Sequence, residues 1–84
     1  MARMVVFTRS AARALSRMPS NTEALIRDKL RQLADDPASM ANNVKPLKGI
    51  EGHRLRVGDW RVIFTIAPDR IIVHEVGPRG SIYG

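Results

Sequence analysis

The stretch His53-Arg54-Leu55-Arg56-Val57-Gly58-Asp59-Trp60-Arg61-Val62-Ile63-Phe64-Thr65-Ile66 decides the fold, because its apolar residues recur at every second position on both sides of a Gly-Asp pair. Leu55 and Val57 alternate with Arg54 and Arg56; Trp60, Val62, Phe64 and Ile66 then alternate with Arg61, Ile63 and Thr65. A period of two marks a strand with one buried face, and a two-residue reversal joins two such strands into a hairpin. With Gly58 and Asp59 as the turn, Val57 lies opposite Trp60, Arg56 opposite Arg61, Leu55 opposite Val62 and His53 opposite Phe64. One face of this hairpin is apolar, so His53 and Trp60 read as core-facing. The other face carries Arg54, Arg56 and Arg61. Like charges directly across a ladder repel, so that face suits an anion better than it suits stability.

Downstream, Ala67-Pro68-Asp69-Arg70 forms a second reversal into Ile71-Ile72-Val73-His74-Glu75-Val76. Pairing Ile66 with Ile71 puts Ile72, His74 and Val76 on the arginine face and turns Glu75 toward the opposite side. Upstream, residues 37–52 show no period, and Asn42, Asn43, Pro46, Gly49 and Gly52 are turn formers, so the stretch reads as a loop. Before it, Ile26, Leu30, Leu33 and Ala34 mark one stripe of a helix that Ser20-Asn21-Thr22-Glu23 opens as a capping box and Asp35-Asp36-Pro37 ends. A shorter helix carries Ala11, Leu15 and Met18, capped by Thr8 or Ser10 and closed by Pro19. Arg3-Met4-Val5-Val6-Phe7 reads as a first strand. The order is β-α-α-β-β-β, an α+β fold with two helices on one face of a mostly antiparallel sheet.

The 84 residues suit a single domain spanning 1–84. Without cysteine, and with only His53 and His74 as histidines, the sequence offers no disulfide, thiolate nucleophile or convincing metal cluster. No cofactor or metal is expected. No apolar run approaches the roughly 18 residues of a membrane span, so the expected location is cytoplasmic. The charge is lopsided: 14 Lys and Arg face 8 Asp and Glu, for a net +6, and eleven of the basic residues are arginine. Arginine's planar fork binds phosphate and carboxylate bidentately, so the bias points to a phosphate-rich or acidic partner.

Lys45-Pro46-Leu47-Lys48-Gly49, the run from Arg54 to Phe64, Val76-Gly77-Pro78-Arg79 and Tyr83 together resemble the RelE branch of the RelE/ParE toxin superfamily. The helical segment fits as well, so the likeness covers nearly the whole chain. The resemblance implies a RelE-like fold, also described as microbial-RNase-like. It also implies the toxin of a type II toxin–antitoxin pair: an endoribonuclease that cuts messenger RNA in the ribosomal A site, inhibiting translation. The reaction would be attack of a ribose 2′-hydroxyl on the adjacent phosphate. A cognate antitoxin, acidic and covering the basic face with a helix or a strand, is the implied restraint.

Carried over by position, the resemblance assigns Arg54, Arg56, Arg61, Arg79 and Tyr83 to the catalytic site. Arg61 and Arg79 suit charge stabilisation on the phosphorane, Arg56 phosphate clamping, and Tyr83 stacking or proton transfer. Lys45 and Lys48 in the loop, with Arg13 and Arg17 on the first helix, are candidate contacts to RNA or the ribosome. Two positions depart from the family pattern: Arg54 stands where lysine is common and Pro78 where a basic residue or histidine is common. A guanidinium stays protonated, so Arg54 is a poor general base. His74 is a candidate acceptor if the register sets it beside Ile63 and Arg54. Two other readings stand alongside: a ParE-like inhibitor of DNA gyrase without nuclease activity, and a decayed toxin that only binds its antitoxin.

Overall fold

The computed structural model describes residues 3–47 and 52–78. The chain runs β1 (Met4–Phe7), α1 (Arg9–Ser16), α2 (Ser20–Asp35), a 3-10 helix (Pro37–Asn43), β2 (Val44–Pro46), β3 (His53–Val57), β4 (Trp60–Ile66) and β5 (Arg70–Pro78). The sheet order is β1-β5-β4-β3-β2. After the helices the chain therefore starts at the far edge and walks back strand by strand until β5 lies parallel beside β1. All other pairings are antiparallel, as the α+β reading requires.

Both helices lie on one face of the sheet. Ala11 and Leu15 of α1 and Ile26, Leu30, Leu33 and Ala34 of α2 pack on Leu55, Val57, Val62, Phe64, Ile71, Val73 and Val76, all buried. These sheet residues are most of the apolar set of the hairpin pattern together with Ile71, Val73 and Val76 of β5. Trp60 is partly buried against the same core, and His53 stacks on Phe64 with ring centroids 5.4 Å apart.

The β3–β4 hairpin has the expected register at every position, from Val57 opposite Trp60 to His53 opposite Phe64. Gly58 has φ 58°, while no other residue type among the described residues has positive φ, so only the first central residue of the turn is left-handed. That is the requirement of a type II′ turn, whose twist matches the flanking strands.

Four expectations are corrected. The stretch read as a loop contains a 3-10 helix, which buries Met40, and the short strand β2 on β3. Three residues are too few for alternation to register as a pattern. The capping box at Ser20 does not form: Pro19 is the N-cap, and its carbonyl accepts from Thr22 and Glu23, both at 3.0 Å. Asn21 Oδ1 accepts from the Thr22 N–H at 2.9 Å instead. The first helix stops at Ser16, with Arg17 as its C-cap, before Pro19 is reached, while Thr8 caps its start by accepting from Ala11.

The last correction matters most for the site. Ile66 does pair with Ile71 and Thr65 with Ile72, but a bulge between Ile63 and Phe64 shifts the register, so Ile63 faces Glu75 and Val62 faces Val76. The extra residue on β5 is His74. Without it, Glu75 would oppose Val62 and drive a carboxylate into the core, at the large cost of burying an unpaired charge. With it, Val76 is buried on the helix side and Glu75 is exposed on the arginine side, the reverse of the expected assignment for both.

Candidate functional site

The open face of the sheet is built by the outward residues of β2, β3 and β4. Lys45 lies directly opposite Arg54, and Arg56 directly opposite Arg61. Two like-charge pairs thus sit side by side where a ladder would favour opposite charges. These four cations and the amides of Asn42 and Asn43 line a cleft of about 240 Å³. Among the described residues no ion pair to a carboxylate joins any of the four, the ion pairs there being Arg27–Glu23 and Arg70–Asp69.

Arg61 is held by its own turn. Its Nη1 donates to the carbonyls of Gly58 at 3.1 Å and Trp60 at 3.0 Å, so the guanidinium is oriented before any ligand arrives. The tight turn therefore does two jobs, fixing strand register and aiming a cation. On the other wall, the Asn43 amide makes a long contact of 3.5 Å to the Arg56 carbonyl. Asn42 and Asn43 carried no sequence signal beyond their turn propensity. It is the pairing of β2 with β3 that brings them to the cleft.

The predicted site residues divide three ways. Arg54, Arg56, Arg61 and Lys45 are brought together. Arg13 and Arg17 are exposed at α1, in the helical layer on the other side of the sheet, away from this cleft. Lys48, Arg79 and Tyr83 lie outside the described residues. Ile63, which shares the arginine face, is only 8% exposed and forms an apolar floor between Arg54 and Glu75, its neighbours on either side.

His74 lies at the bulge, with its Nε2 2.9 Å from the Thr65 hydroxyl, and therefore belongs to the arginine side rather than the core. It sits toward the Thr65 end, not beside Arg54. His53 Nδ1 is buried without a hydrogen-bond partner. Among the described residues no group of three or more histidine, aspartate or glutamate side chains is placed to hold a metal ion. Nor is any helix long and apolar enough to cross a membrane.

A second cleft, of about 300 Å³, runs between the β1 edge and α2, lined by Arg3, Val5, Phe7, Arg27, Arg31, Ala34 and Asp35. Its floor is apolar and its rim mostly cationic. The Arg27 guanidinium lies 5.0 Å from the centre of the Phe7 ring, a cation–π contact that keeps the charge at the rim. β1 is an edge strand, so its outer backbone groups are open to a further chain.

The sequence profile of the ParE toxin of type II toxin–antitoxin systems, parDE, matches residues 5–83. No curated protein matches the sequence. Among solved structures, the toxin–antitoxin complex RelBE of Mycobacterium tuberculosis contains a chain of similar fold, with TM-score 0.80 and 23% identity over 94% of this chain and 100% of that one. The archaeal RelE–RelB complex of Pyrococcus horikoshii gives TM-score 0.80 and 24% identity, covering 98% of this chain and 100% of its counterpart. A free RelE variant of E. coli gives TM-score 0.78 at 19% identity, over 96% of this chain and 87% of that chain. At such identities the structural likeness speaks for the fold.

Proposed function

The chain belongs to the ParE toxin family of type II toxin–antitoxin systems, within the RelE/ParE superfamily, and from that premise we propose that it is a ribosome-dependent endoribonuclease acting on messenger RNA. The observation that carries the reading is the pair of opposed cation pairs, Lys45 with Arg54 and Arg56 with Arg61, around one cleft that no carboxylate among the described residues lines. A stable surface has no need of that repulsion. An RNA phosphate relieves it, and forked donors aimed at the phosphorane stabilise the charge that builds up as the 2′-hydroxyl attacks. Arg61, already oriented by its turn carbonyls, acts on the phosphorane. Arg54, Arg56 and Lys45 clamp phosphate oxygens. By the resemblance, Arg79 and Tyr83 complete the site, Arg79 as a further cation and Tyr83 by stacking or moving a proton. The shallow face holds RNA without a groove to read its sequence, which is why the ribosome must present the strand in register.

The partner is a cognate antitoxin, as in the RelE–RelB complexes that share this fold. The cleft beside β1 supports this, since its apolar floor and the rim of Arg3, Arg27 and Arg31 suit an acidic amphipathic segment.

A second reading has a specific observation in its favour: the matching family profile is that of ParE, and a gyrase inhibitor with this fold would not need the cationic cleft. Primer extension on a defined messenger RNA, with and without programmed ribosomes, separates the two. The nuclease reading expects cuts in A-site codons only with ribosomes present, and a loss of about 10²–10³-fold in cutting for Arg61→Ala, the size of losing one oxyanion donor. Growth arrest with intact messenger RNA and inhibited supercoiling would replace it with the gyrase reading. Binding to the antitoxin with neither effect would mark a decayed toxin.

A further inference from the structure

The bulge in β5 leaves one group without a role in the site described so far. Glu75 stands on the arginine face, opposite Ile63, in the row that continues through Arg54 to Lys45. Arg61 is its diagonal neighbour, about 7–8 Å away by the spacing of such pairs, and Arg54 lies two strands off, roughly 10 Å. Glu75 is exposed, and among the described residues it forms no ion pair and accepts no side-chain hydrogen bond. Its diagonal neighbour does not neutralise it, because Arg61 is turned back onto the Gly58 and Trp60 carbonyls. A carboxylate without an ion-pair partner among the described residues is thus kept on the face that carries the cations.

Its placement is held from both sides of the strand. Thr8 donates through its N–H to the Val73 carbonyl at 3.0 Å and through its hydroxyl to the His74 carbonyl at 2.9 Å. On the other side the Thr65 hydroxyl meets His74 Nε2. The bulge is therefore a built feature, of the kind that re-aims a side chain beside a site. It also meets a need of the chemistry, since the clamp residues Arg54, Arg56, Arg61 and Lys45 bring hydrogen-bond donors to the phosphate and no carboxylate.

We infer that Glu75 is the general base of the cleavage reaction, an inference that rests on the nuclease reading above. With the scissile phosphate over Ile63, between Arg54 and Arg61, the Glu75 carboxylate takes the proton of the 2′-hydroxyl as O2′ forms its bond to phosphorus. The P–O5′ bond then breaks, O5′ departs with the electron pair and takes a proton from water, and Glu75 returns its own proton to water. The products are a 2′,3′-cyclic phosphate and a 5′-hydroxyl, with no water consumed and nothing oxidised or reduced. His74 is the poorer acceptor, because its Nε2 is already engaged by Thr65 and it sits farther along β5 from the cleft.

The test is single-turnover cleavage on programmed ribosomes by the intact chain and by Glu75→Gln and Glu75→Asp. Glu75→Gln is expected to lose about 10²–10⁴-fold in rate, the range for a general base, with ribosome affinity and melting temperature unchanged. Glu75→Asp, which keeps the carboxylate on a shorter arm, should recover part of the loss. On a substrate whose leaving oxygen is replaced by sulfur, which departs without a proton, the Glu75→Gln defect should persist. Restoration to the wild-type rate there would make Glu75 the acid for the leaving group and overturn the assignment. Cleavage by Glu75→Gln at the wild-type rate on the normal substrate would also overturn it while leaving the nuclease reading intact. If the unmodified chain does not cut, the nuclease reading itself falls and this inference falls with it.

Discussion

The two hairpins of the sheet share the strand β4, yet they are specified in different ways. β3 and β4 are joined by Gly58 and Asp59 and keep one register from the turn to His53 and Phe64. β4 and β5 are joined through residues 67–70, where Ala67 and Arg70 exchange backbone hydrogen bonds, and the register then breaks after Phe64. A tight turn leaves a single pairing and alternation propagates it. In the second hairpin the turn sets the pairing only as far as Phe64, after which burial takes over. The ladder accepts an irregularity because the alternative is a buried Glu75. The first hairpin supplies the arginines and the second, through its defect, supplies a carboxylate on the same face.

The largest expected effect falls where the hairpins meet. Phe64 is fully buried, stacks on His53 across β3 and faces Val73 across β5, beside the bulge. Phe64→Ala should cost about 3–5 kcal/mol, a large part of the 5–15 kcal/mol typical of a folded domain. Urea denaturation of the variant checks this. A loss below about 1 kcal/mol would mean that the two hairpins do not depend on a shared core residue, since full burial of an aromatic ring predicts several times that.

A smaller effect separates the turns. At Gly58 an added Cβ would meet nothing within 4 Å, so Gly58→Val is opposed by the left-handed backbone alone, at roughly 1–2 kcal/mol. Because the Gly58 carbonyl holds Arg61, the same variant should also lower activity in the cleavage assay. Stability equal to wild type in a thermal melt would show that the ladder, not the turn, sets the first register.

Particular residues explain what the sequence made legible. The register of β3 on β4, the three arginines of the cleft and the helical stripes on Ala11, Leu15, Ile26, Leu30 and Leu33 all follow from local periodicity and one Gly-containing turn. β2 was hidden because three residues cannot display a period, and with it went the roles of Asn42 and Asn43. The bulge left a trace that the strong strand signal masked. The buried apolar side chains of β5 are Ile71, Val73 and Val76, spaced by two and then by three, but Ile72 is also apolar and conceals the change of step. Which face a polar residue occupies after such a step depends on what the core will exclude, a tertiary energy that no local pattern carries.

The smallest expected effect belongs to the second turn. Arg70 donates to both Asp69 carboxylate oxygens, each at 3.1 Å, and the pair is largely exposed. The hydrogen bond to Arg70, and then its charge, hold the Asp69 carboxyl below the ordinary carboxylate range, while Asp69 holds Arg70 above its own. A carboxyl whose pKa is lower folded than unfolded stabilises the fold above the unfolded value and loses that contribution as pH falls through the folded one. Any advantage of wild type over Asp69→Asn should therefore be present at neutral pH and vanish in acid. Water and salt screen an exposed pair, so melts at physiological ionic strength should barely distinguish the two proteins, with a gap opening only at low salt. A clear gap at physiological salt would mean that this turn, like the first, fixes its own strand pairing. The bulge would then be a correction imposed on a preset register, and not the outcome of a register left to the core.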